Sequence, residues 1–207
     1  MQDFQIKDTY KTIEISIENI LFKEKNSKFF GYAYPITSEL EVKKHLDQLK
    51  IDHFSARHWC FAYQIGTENI KFRANDDGEP SNSAGMPIYG QIQSFEITNV
   101  LVVVVRYFGG VKLGGGGLIS AYKTTAQLTL AEANIIEKTI DKQFKITFDY
   151  KNMNKVMRII KEKNIQIVQQ KMEMNCEIQI ATRKKNAKEI VAIFKSLFEI
   201  EIEEVEK

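Results

Sequence analysis

TNVLVVVVRYFGGVKLGGGGLISAY, residues 98–122, sets a buried strand, a glycine cluster and a helix in immediate succession. The apolar, β-favouring run from Leu101 to Val105 demands burial on both faces and reads as a central strand. Behind it, Gly109, Gly110, Gly114, Gly115, Gly116 and Gly117 are six of the chain's eleven glycines. Each glycine costs about 0.5–1 kcal/mol of backbone entropy relative to alanine, so the cluster implies a path that a Cβ would obstruct. A tight turn, a nest of N–H groups around an anion, and close approach to another chain all fit. From Leu118 to about Ile135, the spacing of Leu118, Ala121, Tyr122 and Leu128 predicts a long helix.

A glycine loop that opens a helix can hold an anion on its N–H groups and on the positive end of the helix dipole. Arg106, Tyr107 and Lys112 join the six glycines as the candidate anion- or nucleic-acid-binding set. Two nucleotide motifs fail. A P-loop needs Lys-Ser/Thr after its second glycine, and Gly115 is followed by Gly116 and Gly117. A dinucleotide fingerprint from Gly115 needs glycine or alanine where Ser120 stands.

Upstream, RANDDGEPSNSAGMP (73–87) crowds Asp76, Asp77 and Glu79 into four positions, around Gly78 and before Pro80 and Ser81. The alternating acids of an EF-hand loop are absent. Two readings remain: a turn followed by a short helix with a capping serine, or carboxylates that hold magnesium or act as acid and base. HWCFAYQI (58–65) reads as a buried strand, and within HFSARHWCFAY (53–63) His53, His58 and Cys60 raise a Cys/His nucleophile idea, but His58 and Cys60 share one strand face without an acidic orienter. His45 reads as a core-edge residue. Before that, the 10–36 stretch reads as two strands joined near Lys25–Ser27, its aromatics at 29, 30, 32 and 34 being core or a stacking platform for bases. A helix at 38–50 opens on Ser38.

Downstream of about residue 137 the pattern becomes β-α-β-β-α-β, the order of a ferredoxin-like split βαβ domain. The fold class is therefore α+β, with two domains at 1–136 and 137–207. Net charge is only +2, yet residues 138–188 carry thirteen basic against five acidic side chains, and 189–207 two against six. Arg158, Lys161 and Lys163 mark that basic body as a secondary surface for a phosphate backbone. Cys60 and Cys176 fit no ligand spacing and read as free buried thiols. No signal-peptide layout or apolar run of membrane-spanning length is visible, so a cytoplasmic protein is expected. Neither a cofactor nor a metal is called for, and oligomeric state is not legible.

HWCFAY, DDGEPSNSAGMPI and VVVVRYFGGVKLGGGGLISAY together resemble the Impact/YigZ family, in the right order between residues 58 and 123. His58, Asp76, Asp77, Gly78, Glu79, Pro80 and Ser81 fall on its signature positions, while Asn82-Ser83 departs from the more usual Gly-Thr. The resemblance implies an N-terminal βαβ domain like a small-subunit ribosomal protein and domain IV of elongation factor G. It implies a ferredoxin-like C-terminal domain similar to domain V of that factor. Those relatives work against ribosomal RNA, and eukaryotic members restrain the kinase of initiation factor 2 alpha. No catalytic residue carries over. The leading expectation is a translation-linked protein that binds RNA or the ribosome. The alternatives are an enzyme on a small phosphorylated or nucleotide substrate, using Asp76, Asp77 and Glu79 beside the glycine run, and a module that docks a protein partner.

Overall fold

The computed structural model describes residues 7–173 and 175–205. Tyr10–Lys138 make one compact unit, and the described residues through Thr9 and from Thr139 onward make another. The pattern break expected between 136 and 137 falls inside a strand, Ile135–Thr139, which pairs with Thr9–Ile13.

The first unit runs β1 (Thr9–Ile13), β2 (Ile17–Glu24), β3 (Ser27–Pro35), α1 (Glu39–Asp52), β4 (His58–Ile65), β5 (Lys71–Asn75), α2 (Gly85–Ser94), β6 (Val100–Tyr107), α3 (Gly114–Ala131) and β7 (Ile135–Thr139). Five strands form one sheet in the order β2-β3-β6-β4-β5, every neighbour antiparallel. Helix α1 therefore connects two parallel strands, β3 and β4, with β6 between them. Helix α2 does the same for β5 and β6 across β4.

Central β6 is buried on both sides, as its valine run requires. Val100, Val102 and Val104 pack under α2 and α3 with Phe29, Cys60 and Tyr122. Leu101, Val103 and Val105 pack towards α1 with Tyr32, Tyr34 and Phe61. The α1 helix opens on Ser38 as expected, and the structure adds a capping box in which Glu41 is the partner.

Two expectations need correction, and one strand has no signature in the sequence. The stretch from residue 10 to the Lys25–Ser27 turn, expected as one strand, is two: Ile13 is fully buried in β1, Ile15 is 61% exposed in a bend, and Ile17 begins β2. The α3 helix starts at Gly114 instead of Leu118, and it stops at Ala131 because the chain turns at 132–134 to enter β7. Polar β5 was not legible, since an edge strand that carries Lys71 and Arg73 lacks the alternation of a half-buried one.

The second unit continues with β8 (Asp141–Asp149), a 3-10 turn (Tyr150–Asn152), α4 (Met153–Glu162), β9 (Gln166–Lys171), β10 (Asn175–Arg183), α5 (Lys184–Lys195) and β11 (Ile200–Glu204). Its antiparallel sheet has the order β11-β8-β10-β9. Ile146, Phe148, Ile178 and Ile180 meet Val156, Ile160 and Phe194 from the two helices. The chain is thus mixed α and β in both units.

Candidate functional site

The signature residues converge at one end of the α2/α3 face of the first sheet, but as structural ties. Arg106 is the last buried residue of β6, and its Nη1 donates to Glu79 Oε1 at 2.6 Å. Tyr122 of α3 donates its hydroxyl to the same oxygen at 2.8 Å. The guanidinium lies 5.5 Å from the ring centres of both Phe29 and Phe108. Burial raises the pKa of Tyr122 and of Cys60 far above their ordinary values, so both stay protonated. Arg106, expected on the phosphate-binding surface, is instead 5% exposed and already paired with a carboxylate.

The neighbouring acids have separate structural duties. Asp76 Oδ1 accepts the N–H groups of Ala84 and Gly85 at 2.9 and 2.8 Å, and Oδ2 that of Asn82 at 2.9 Å. The start of α2 is therefore held by Asp76, eight residues upstream, and not by a serine: Ser83 Oγ donates to the Pro80 carbonyl. Asp77 Oδ2 accepts the Trp59 N–H at 2.7 Å, and its carbonyl lies 2.8 Å from His58 Nδ1. His58 Nε2 stands 4.0 Å from Glu79. Gly78 makes the turn with φ of +85°, while Pro80 and Ser81 are exposed. Among the described residues, no three His, Cys, Asp or Glu side chains are placed to hold a metal ion.

The glycine run divides into two roles. A Cβ on Gly109 would lie 2.1 Å from the Asn26 carbonyl carbon, so here the glycine admits the β2–β3 turn against the backbone. Its N–H donates to Ser27 Oγ at 3.2 Å. Gly110 and Gly114 have φ of +85° and +75°, where glycine alone is unstrained. Gly114, Gly115, Gly116 and Gly117 are not a loop: they form the first turn of α3, which has no side-chain cap. A Cβ on Gly114, Gly115 or Gly116 would meet nothing within 4 Å, and Lys112 just before them is exposed.

Tyr107 alternates with Arg106 and faces the α1 side. There His53 Nδ1 lies 2.9 Å from the Tyr107 hydroxyl, and Nε2 lies 2.5 Å from that of Tyr32. In the sequence His53 enters only the nucleophile idea, and Lys23, Lys28 and Phe108 at this end of the sheet carry no signature. The legible signal was the aromatic alternation in β3 facing a histidine just past a helix.

In the second unit, Arg158 and Lys163 are exposed but paired, with Glu162 at 3.7 Å and Glu189 at 2.7 Å. Lys161 is exposed. Both cysteines are free and buried. Among the described residues, no helix is long and apolar enough to cross a membrane.

Residues 25–130, which span both signature segments and the sheet that joins them, match the family described as the Impact N-terminal domain. The chain belongs to the Impact family. It is 30% identical over 177 residues to the IMPACT family member YvyE of Bacillus subtilis (strain 168), covering 86% of this chain and 81% of that protein. An IMPACT family member of Haemophilus influenzae is 31% identical over 173 residues, 80% of this chain and 82% of its own. A solved structure described as a hypothetical protein covers 97% of this chain and 98% of its own, with a TM-score of 0.73 at 21% identity. That likeness extends the shared fold across both units.

Proposed function

We propose that this Impact-family chain is a translation-linked regulatory protein that docks on RNA through the phosphate backbone, without a catalytic step of its own. The observation that carries this reading is a cross-strand pair of like charges. Lys23 of β2 and Lys28 of β3 stand directly opposite each other, both exposed, and Lys28 is in turn opposite Tyr107. Like charges in that position repel and destabilise the hairpin, and a bound anion removes the penalty. The β2–β3 turn rests on Gly109, so Lys112 and the uncapped first turn of α3 follow within a few residues. Open N–H groups and free lysines at one end of a sheet suit phosphate.

Arg106 drops out of the phosphate-binding set and becomes the support beneath it. The Arg158–Lys163 segment of the second unit supplies further basic residues, although two of the three are paired with acids. The order β11-β8-β10-β9 supports the ferredoxin-like reading of that unit. Family membership supports translation as the setting, as the resemblance to proteins that work against ribosomal RNA implies. The enzyme reading loses support because Asp76, Asp77 and Glu79 are each held in bonds that build the fold.

Fluorescence anisotropy with a labelled single-stranded RNA, over a salt series, tests the reading. Affinity is expected to fall linearly on logarithmic axes, and Lys112→Ala to reduce the slope by ~0.7, the increment for one contact to a single strand. Binding that ignores salt, or that survives nuclease in a pulldown, overturns it in favour of a protein partner.

A further inference from the structure

Asn26, Lys28, Phe30, His53, Tyr107 and Phe108 line an open cavity of about 330 Å³ on the α1 side of the sheet end. That volume lies at the lower limit of ligand pockets, ~300–1,000 Å³. Because Arg106 and Tyr107 point to opposite faces of β6, the cavity is separate from the Glu79 cluster.

Its walls are largely aromatic. Phe30 lies 5.5 Å from the His53 ring and 5.7 Å from that of Tyr107, the latter edge to face. Phe108 is 45% exposed at the rim, with the Arg106 guanidinium over its ring. The protons of the histidine bridge follow from its partners. Tyr32 donates its one hydroxyl proton to Asn19 Oδ1 at 2.6 Å, so towards His53 Nε2 it accepts. Nε2 therefore carries the imidazole proton, and unprotonated Nδ1 takes the hydroxyl proton of Tyr107. Burial, which lowers the pKa of His53 against the opposing pull of Asp52, favours this neutral form. The Tyr107 oxygen is left with lone pairs alone to offer a ligand. Lys28 lines the cavity and Lys23 stands directly opposite it across the hairpin, neither with an ion pair among the described residues.

We infer that this cavity takes one nucleotide, with its base among Phe30, Tyr107 and Phe108, a base N–H on the Tyr107 oxygen, and its phosphate between Lys23 and Lys28. A planar ring with an N–H edge and an adjacent anion satisfies the aromatic walls, the acceptor and the repelling lysines together. Every nucleobase has such a π-face, so the site tolerates sequence. The inference rests on the RNA reading only for the source of the nucleotide, which is free in solution or one residue of a strand.

The test is NMR of the full chain, following the His53 imidazole signal during titration with adenosine monophosphate and separately with a twelve-residue oligoadenylate. Phe108→Ala and Lys23→Ala/Lys28→Ala alter exposed side chains and keep the core. A shift of the His53 signal with either probe, weakened about tenfold or more in both variants, is the expected result. A response to the monophosphate alone makes this a free-nucleotide site and counts against RNA. A response to the oligomer alone makes it a strand site. Oligomer binding seen by anisotropy with the His53 signal unmoved overturns the cavity and leaves the RNA reading standing. Absence of binding by both probes overturns both.

Discussion

Glu79 lies 2.6 Å from Arg106, with 4% and 6% of the two side chains exposed. The same carboxylate oxygen accepts from Tyr122, so one acid ties the signature turn to β6 and α3. A buried pair of this kind is not a surplus of stability. Its charges lose hydration on folding, and the cost of burial becomes visible when one partner is removed.

Glu79→Ala is expected to destabilise the chain by about 3–5 kcal/mol, because it leaves the Arg106 guanidinium buried without its counter-charge. Urea denaturation followed by tryptophan fluorescence reads this directly, since the single Trp59 sits in β4 of the same unit. The double change Glu79→Leu/Arg106→Met is expected to recover most of the loss. A drop under about 1 kcal/mol in the single variant would contradict the arrangement.

The glycines are expected to separate by position. Gly109→Ala drives a Cβ into the Asn26 backbone and costs about 1–3 kcal/mol or more. Gly116→Ala meets open space in the first turn of α3 and gains up to about 1 kcal/mol from helix propensity. Thermal melting of the two variants settles it, and shifts in the same direction would be the wrong outcome.

Asp76→Ala removes the acceptor for three backbone N–H groups at the start of α2 and is expected to cost about 1–2 kcal/mol. Ser83→Ala is not expected to uncap the helix, because its hydroxyl donates to the Pro80 carbonyl. Hydrogen exchange at Ala84 and Gly85 distinguishes the two: acceleration in the Asp76 variant alone is the expected pattern.

His53 is held below its ordinary value of 6.5, chiefly by burial. The unfolded chain therefore binds more protons than the folded one between the lowered pKa and 6.5, and stability rises with pH across that window. On acidification through it, the contribution is lost. His45, lowered by burial and by Lys44, acts in the same direction. His53→Gln should flatten the pH dependence of the melting temperature between pH 6.5 and lower values. An unchanged slope would remove His53 from the account.

Much of this architecture could be read before folding, and the failures have physical causes. Six valine-rich residues in β6 declare burial on both faces, and the periodicity of α4, α5 and their strands gives the second unit its order. Gly114 to Gly117 misled because glycine argues against helix, yet α2, α3 and the sheet fix that turn regardless of propensity. Asp76 misled in the opposite way, since a cap eight residues away in sequence leaves no local signature. The pairing of Arg106 with Glu79 crosses 27 residues and needs the β4–β6 register to bring it about. Lys23 opposite Lys28 is a matter of hairpin register as well, which alternation alone does not disclose.

Sucrose-gradient co-sedimentation with ribosomes, at low and high salt, tests the central claim most directly. The comparison is wild type against Lys23→Ala/Lys28→Ala/Lys112→Ala, with circular dichroism to verify the fold of the variant. The expected result is wild-type protein moving with ribosomes at low salt and released at high salt, and the folded variant remaining at the top. Wild-type protein free at the top of every gradient, or a variant that sediments like wild type, would contradict docking through this end of the sheet.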